Sequence, residues 1–215
     1  MITTLLLLSG LSSPFPSTVP GITIPNAHLM DQKSILRGSQ PASKVSELSA
    51  WGVTDVIIFK NQTGNEVDKE LAALQKAGIT SHHIPFRWKE LESPEVACRQ
   101  VVDALKIIRD GRLQGKVTYF HCTVGEDRTG LLAGVWRRLD ENLSDAHAWQ
   151  DEMCAHGYAD GNPGKQVSTA IHAELTPLYT ALSSMITKGD LNLLTLDPEV
   201  CKGLVFSPVK RLCKK

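Results

Sequence analysis

Residues 121–130 read His-Cys-Thr-Val-Gly-Glu-Asp-Arg-Thr-Gly, and this stretch decides the fold. A β-branched and aromatic run at 117–120 precedes it, and an apolar run at 131–136 follows it. That order predicts a strand, a tight loop and the start of a buried helix. Backbone amides at a helix N-terminus bind anions, because they lack intrahelical acceptors and the helix dipole is positive there. The sequence therefore predicts an anion-binding loop at the end of a strand.

The side chains of this loop fit attack by sulfur on a bound phosphate. Cys122 attacks only as a thiolate, and the loop amides and helix dipole are expected to lower its pKa. Arg128 offers a planar fork that clamps two phosphoryl oxygens. The Thr129 hydroxyl is expected to stabilise the departing thiolate, and His121 to brace the loop. Further substrate contacts are expected from Thr123, Val124, Gly125 and Glu126, whose backbone amides point into the loop. An inert buried cysteine is the alternative for Cys122, and the spacing of Arg, Thr and Gly disfavours it.

The pattern His-Cys-x5-Arg-Thr-Gly resembles the signature of the cysteine-dependent phosphatases, the superfamily of protein tyrosine and dual-specificity phosphatases. Three further stretches resemble compact dual-specificity-like members. These are Ile35–Pro41, similar to their Arg-Ser-Gln-Pro opening strand, Trp51–Ile58, similar to their next strand, and Ala148–Tyr158, similar to their helix ending in Gly-Tyr. The resemblance covers residues 34 to 160. It implies that family's fold, hydrolysis through a cysteinyl-phosphate intermediate, and no metal or other cofactor.

The proton donor is where this chain departs from the family pattern. A general acid is needed because an alkoxide leaves phosphorus poorly unless it is protonated. The resemblance implies an Asp shortly after Ile84-Pro85, but Trp88 stands at that place. Three candidates remain: Asp127 in the loop, as in some bacterial tyrosine phosphatases, and Glu90 and Glu92 on the expected lid. We favour Asp127 narrowly, since a structural acid that caps the helix or pairs with an arginine fits it equally well.

The sequence leaves the substrate class open. Arg87, Lys89 and Lys60 are expected to form a basic rim, whereas Glu126 and Asp127 place negative charge in the loop and oppose a very anionic substrate. The resemblance extends to the cysteine-type phytases, which implies inositol polyphosphates as the first choice. Phosphotyrosine or another phosphoprotein is the second. A phosphate-binding pseudophosphatase that recognises phosphorylated partners is the alternative to an enzyme.

Strand and helix signals alternate along the chain. They predict an α/β fold with a central, mainly parallel sheet and helices on both faces. Strands are expected near 35–40, 53–60, 79–84 and 117–121. Helices are expected at 42–51, 66–77, 93–110, 129–140, 145–156 and 166–187, the last interrupted at Pro177. We assign the phosphatase domain to 27–190 and treat 191–215 as a C-terminal tail that disulfides can link to the domain.

The N-terminal residues 1–26 are predicted to be a signal peptide or a linker. Ile2–Leu8 is apolar but too short to span a bilayer, and the prolines of 12–26 favour an extended chain. We therefore expect a periplasmic or secreted protein whose mature form has no stable membrane insertion. The chain carries 23 basic and 23 acidic residues, so no long-range field favours nucleic acid. The expected partner is a phosphorylated small molecule or phosphoprotein, and a monomer is expected.

Cysteine usage gives weak support for export. Beyond Cys122 the chain has four cysteines, enough for two disulfides in an oxidising compartment. Cys201 and Cys213 lie 12 residues apart in the tail and are the expected pair. Cys98 and Cys154 fall at helical positions and are expected to be buried free thiols.

Overall fold

The structure is a computed structural model that describes residues 13, 15–31, 34–87, 89–158, 168–207, 209 and 211–213. Its sheet has five strands in the order β1-β2-β5-β3-β4. The strands are β1 (His28–Leu29), β2 (Ile35–Gly38), β3 (Asp55–Phe59), β4 (Thr80–Ile84) and β5 (Thr118–His121). Only the short edge pair of β1 and β2 is antiparallel, and the other neighbours are parallel. The predicted mainly parallel sheet is confirmed, and the sequence did not reveal β1.

Helices connect the parallel strands and cover both faces. They are α1 (Val45–Trp51, after a 3-10 turn at Ala42–Lys44), α2 (Glu66–Lys76), α3 (Pro94–Leu113), α4 (Asp127–Asp140), α5 (Asp145–His147), α6 (Ser168–Ala170) and α7 (Thr176–Lys188). A π turn at Ala148–Met153 and a 3-10 turn at Cys154–His156 extend α5, and a π turn at Ile171–Leu175 joins α6 to α7. The interruption predicted at Pro177 appears as the change from the π turn to α7 just before this proline, and the stretch stays helical across it.

Alternate residues of the strands point into two separate cores. On one face Ile57, Phe59 and Phe120 pack under α3, α4 and α7, and on the other Val56 and Tyr119 pack under α1 and α2. Every residue of the central strands β3 and β5 is buried, which explains their nearly continuous apolar runs. The carboxyl end of β5, where the 121–130 stretch begins, is thereby fixed in the middle of the sheet.

The segment before β1 packs against the domain, although it forms no helix or strand. Val19, Ile22 and Ile24 are buried in the core beneath α1 and α2. The backbone amide of Asn26 donates to the carbonyl of Phe15 at 2.8 Å, which closes this segment into a loop. Pro16, Pro20 and Pro25, expected in a linker, thus belong to a covering loop over residues 15–27. Residues 1–12, which include the apolar run, lie outside the described residues.

The four cysteines other than Cys122 form two disulfides that link the tail to the domain, but the predicted pairing of Cys201 with Cys213 was wrong. Cys98 in α3 is bonded to Cys201, and Cys154 is bonded to Cys213. The short spacing of Cys201 and Cys213 does not bring them together, because the tail runs across the helical face and each of them meets a cysteine of the domain. Leu191 also lies in the main core, so the tail is packed as well as cross-linked. None of the described helices has the length and apolarity that a bilayer span requires.

Candidate active site

The 121–130 stretch forms a loop between β5 and α4. Strand β5 ends at His121, Cys122 is the next residue, and α4 begins at Asp127. Cys122 is only 1% exposed and lies at the bottom of the loop. The loop is placed at the carboxyl end of a central parallel strand, the edge at which open α/β sheets bind ligands.

The carbonyl groups of this loop are bound from outside by the chain that precedes α1. The contacts are Gln40 N to Thr123 O at 3.1 Å, Ser39 Oγ to Val124 O at 2.8 Å, Asn26 Nδ2 to Gly125 O at 2.9 Å, and a guanidinium N–H of Arg37 to the same Gly125 oxygen. A peptide whose carbonyl points outward directs its amide inward. The amides of Gly125 and Thr129 accordingly hydrogen-bond the Cys122 sulfur. Two backbone donors of the loop thus face the thiol.

Two glycines let the loop approach the end of β2. Gly125 has φ +72°, and a Cβ placed there would lie 2.5 Å from the carbonyl carbon of Gly38. The Tyr119 hydroxyl occupies the space that a Cβ at Gly38 would need, and it donates to Ser39 O at 2.6 Å. The sequence predicted a strand that reaches residue 40. In the structure β2 ends at Gly38, because Ser39 and Gln40 turn to bind the loop.

The environment of Cys122 favours its thiolate. Burial alone raises the pKa of the thiol, but the nearby positive charge of Arg128 outweighs this effect, together with hydrogen bonds from Thr129 and Gly125. The result is a pKa lowered from 9.0 to about 7. The buried Thr129 hydroxyl has no nitrogen or oxygen partner among the described residues and interacts with the sulfur. A nucleophile ionised near neutral pH is what attack on phosphorus requires.

Arg128 connects the loop to the neighbouring segments. Its guanidinium donates to Phe86 O at 3.1 Å, to Asn61 Oδ1 at 3.3 Å and to Thr123 Oγ1 at 3.2 Å. Asn61 follows β3 and was not among the predicted site residues. The one sequence signal that could have identified it is its place after a parallel strand, at the sheet edge that also carries the loop. These protein acceptors hold the planar fork in one orientation beside the loop.

A buried polar network supports His121 behind the loop. Its Nε2 lies 2.7 Å from Glu70 Oε1, and its Nδ1 lies 2.8 Å from the Cys122 carbonyl oxygen. Burial lowers the pKa of His121, but the Glu70 carboxylate and Cys122 together outweigh this effect, and the net shift is upward. Gln40 also donates to Glu70. Lys60, expected at the rim, is buried instead and forms an ion pair of 2.7 Å with Glu66. Glu70 belongs to α2 and no motif singled it out.

The two acids of the loop differ in their surroundings. Glu126 is buried, and its carboxylate accepts a hydrogen bond of 2.7 Å from Ser13 Oγ and packs against Gly157. Its negative charge is therefore held against the N-terminal segment. Asp127 is the first residue of α4 and is half-buried. A carboxylate at a helix N-terminus interacts favourably with the helix dipole, which suits a structural acid.

The lid segment, residues 85–92, lies next to Arg128 through Phe86. Phe86 is buried and stacks on Phe59 with ring centroids 4.3 Å apart. Its other predicted site residues, Arg87, Lys89, Glu90 and Glu92, are exposed. Trp88, which replaces the expected acid, lies outside the described residues. No cluster of side chains suited to a metal ion occurs in the described part of the chain.

Comparison with solved structures identifies the fold. A Gly→Ala mutant form of Tk-PTP aligns over 75% of this chain and 97% of its own, with 20% identity and a TM-score of 0.57. TpbA of P. aeruginosa aligns over 78% of this chain and 95% of its own, with 20% identity and a TM-score of 0.54. The core catalytic domain of the PP-IP phosphatase SIW14 of S. cerevisiae aligns over 77% of this chain and 86% of its own, with 20% identity and a TM-score of 0.54. The chain has the cysteine-dependent phosphatase fold. No family model and no curated protein matches the sequence.

Two glycine substitutions test how the loop of this phosphatase fold is held. Gly125→Ala should lower the free energy of unfolding by about 3 kcal/mol or more, because left-handed strain adds to the clash with Gly38. Gly64→Ala is the matched control, since Gly64 has φ +56° but open space around its Cβ position. It should cost about 1–2 kcal/mol, from strain alone. Urea unfolding measures both, and equal costs would contradict the close approach of Gly125 and Gly38.

The pKa of the thiol gives a pH prediction. All other cysteines form disulfides, so ultraviolet absorbance of the thiolate reports Cys122 alone. The thiolate should appear as pH rises, with a midpoint at about 7. Arg128→Gln should move this midpoint upward by about one unit, because a neighbouring positive charge favours the ionised form. Arg112→Gln, which removes a surface arginine paired with Asp140, should leave it unchanged. A midpoint of 9 in the unaltered protein would contradict this account.

Proposed function

We propose that this protein hydrolyses phosphate monoesters through a cysteinyl-phosphate intermediate. The supporting observation is the loop itself: a thiol with a pKa of about 7 that accepts hydrogen bonds from the amides of Gly125 and Thr129, beside the guanidinium of Arg128. The thiolate attacks phosphorus while the bond to the leaving oxygen breaks and that oxygen takes a proton from an acid. Water then attacks the phosphoenzyme, and the sulfur departs as a thiolate. The Thr129 hydroxyl beside the sulfur stabilises that departure.

We propose Asp127 as the acid, with Glu90 and Glu92 as the competing candidates. Asp127 is supported by its place in the phosphate loop, one residue from Arg128. Its place in the first turn of α4, beside the positive end of the helix dipole, suits a structural acid as well. Glu90 and Glu92 are exposed and require the lid to carry them toward the leaving group.

For the substrate, we propose inositol polyphosphates. Arg87 and Lys89 extend from the lid as exposed cations, and the buried position of Glu126 removes one negative charge from the loop's open side. The structural similarity to SIW14, a PP-IP phosphatase, supports this choice. Phosphotyrosine is the second candidate, supported by the similarity to TpbA, solved as a Cys→Ser variant in complex with pTyr. A pseudophosphatase is the alternative, and the thiol with its lowered pKa beside Arg128 argues against it.

We propose that the protein works in an oxidising compartment after export. Two disulfides that bind the tail to the domain support this setting. Ser13 contacts Glu126, and Val19, Ile22 and Ile24 pack on the domain, so we place any cleavage before Ser13. Mass spectrometry of the mature N-terminus in fractionated cells checks both points.

Cys122→Ser tests the nucleophile and provides the blank for the substrate comparison. It should lower hydrolysis of an aryl phosphate by at least about a thousandfold, because the serine hydroxyl is not ionised at neutral pH, while binding of phosphate ligands persists. Against that blank, inositol hexakisphosphate should be hydrolysed faster than a phosphotyrosine peptide. Arg87→Ala should raise KM for the inositol substrate, whereas Lys76→Ala at the end of α2 should not. Retained turnover in Cys122→Ser would overturn the mechanism.

The acid is tested by the leaving group. Asp127→Asn should slow an alkyl phosphate by at least about a hundredfold and an activated aryl phosphate far less, because only the alkoxide needs the proton. Glu90→Gln and Glu92→Gln should act on both substrates alike. The ratio of the two rates for each variant is the measurement. If Glu90→Gln or Glu92→Gln shows the selective loss, the proton comes from the lid.

A further inference from the structure

One peptide group of the 121–130 loop is bound at both of its ends. Its carbonyl, that of Val124, accepts the Ser39 hydroxyl at 2.8 Å. Its N–H, that of Gly125, hydrogen-bonds the Cys122 sulfur. Because a trans peptide group is planar, its C=O and N–H point in opposite directions, and a contact that fixes one also fixes the other. The contact that Ser39 makes outside the loop therefore sets the direction of a donor inside it.

The Ser39 backbone is bound on both sides, which gives its hydroxyl a defined position. Its amide donates to the carbonyl of Pro25 at 3.0 Å, and its own carbonyl accepts the Tyr119 hydroxyl at 2.6 Å. Tyr119 belongs to β5 and is fully buried, and its hydroxyl lies against Gly38. The strand that carries Cys122 at its end thus also holds, through Tyr119, the residue that binds the loop from outside.

The peptide that Ser39 binds needs an external contact. Gly125 has φ +72°, and glycine adopts positive and negative φ with similar ease, so the preferences of the chain itself do not fix the direction of this peptide. That direction matters for charge at the sulfur. A hydrogen bond to an ionised acceptor is stronger than one to a neutral acceptor, so an amide directed at Cys122 favours the thiolate over the thiol.

We propose that Ser39 is a positioning residue for the nucleophile: its hydroxyl, held in place by Tyr119, keeps the Gly125 amide directed at the Cys122 sulfur. The inference rests on the proposed function only for its effect on turnover, since the thiolate forms whether or not a substrate is hydrolysed. Ser39→Ala alters no charged group, so Arg128 and His121, whose charges act on the sulfur, stay in place. This variant therefore isolates the hydrogen bond.

The first measurement is the ultraviolet titration of the Cys122 thiolate, which needs no turnover. Ser39→Ala should raise the midpoint by about half a pH unit, because a donor that favours the ionised sulfur is no longer held toward it. Thr180→Val is the matched control, since it also removes a hydroxyl that donates to a backbone carbonyl, that of Thr176 in α7. It should leave the midpoint unchanged. An unchanged midpoint in folded Ser39→Ala overturns the proposal.

Tyr119→Phe is the second variant, and it tests the same proposal if Ser39→Ala does not fold. It removes the hydroxyl that holds the Ser39 carbonyl, so it should raise the midpoint in the same direction by about half as much. Added to Ser39→Ala, it should have almost no further effect, because its influence passes through the Ser39 hydroxyl. No shift in Tyr119→Phe alone, or shifts of equal size with and without the Ser39 hydroxyl, would contradict the proposal.

The dependence of kcat/KM on pH separates positioning from a general loss of structure. With an aryl phosphate, the rising limb of the profile reports the free enzyme, and in Ser39→Ala it should move upward by the same half unit. This shift means about a threefold loss well below the midpoint and a smaller loss above it, where the thiolate is complete. The ionisation of the substrate is common to both proteins and cancels in the comparison.

A loss of equal size at every pH is what a loosened structure would produce, and it would overturn the proposal. If the unaltered protein shows no turnover, the proposed function fails, whereas the titration midpoints of Ser39→Ala and Tyr119→Phe still decide whether Ser39 positions the donor.

Discussion

The site depends on one constraint: the peptide groups that follow Cys122 must turn their carbonyls away from the sulfur. A free loop does not keep this arrangement, because each outward carbonyl needs a donor once it is removed from water. The chain before α1 supplies those donors, and Gly125 O alone receives two, from Asn26 and Arg37. The lowered pKa of the thiol follows, since the inward amides and Arg128 stabilise negative charge at the centre.

Charged groups in the interior carry much of this support. Arg37 is fully buried, and its ion pair of 2.6 Å with Glu152 joins β2 to the π turn after α5. The contact of His121 with Glu70 joins β5 to α2 in the same way. Buried ion pairs add little net stability, because desolvation offsets their attraction, but loss of one partner leaves an uncompensated charge. We therefore regard these pairs as devices that fix the register of the loop more than as sources of stability.

The sequence predicted those features of the fold and the site that local residue patterns determine. The 121–130 stretch identified the loop and its strand, and the alternation of strands and helices identified the parallel sheet, since both signals lie in neighbouring residues. Contacts between residues that are far apart in the sequence could not be predicted from it. Nothing in the sequence near Glu174 indicates that its carboxylate accepts the backbone amides of Glu90 and Leu91. In the sequence Glu70 likewise resembles any acid of a surface helix. The disulfides show the same limit, because spacing favoured Cys201 with Cys213 while the path of the tail decided otherwise.

That disulfide pattern has a consequence for oxidative damage. Every cysteine of the described chain except Cys122 is already bonded to another. If peroxide converts the nucleophilic thiolate to a sulfenic acid, the fold holds no second free thiol that can trap it as an internal disulfide. Recovery then depends on a reductant from outside the molecule, and further oxidation of the sulfur is irreversible. The bonds that secure the tail thus leave the nucleophile without a resolving partner.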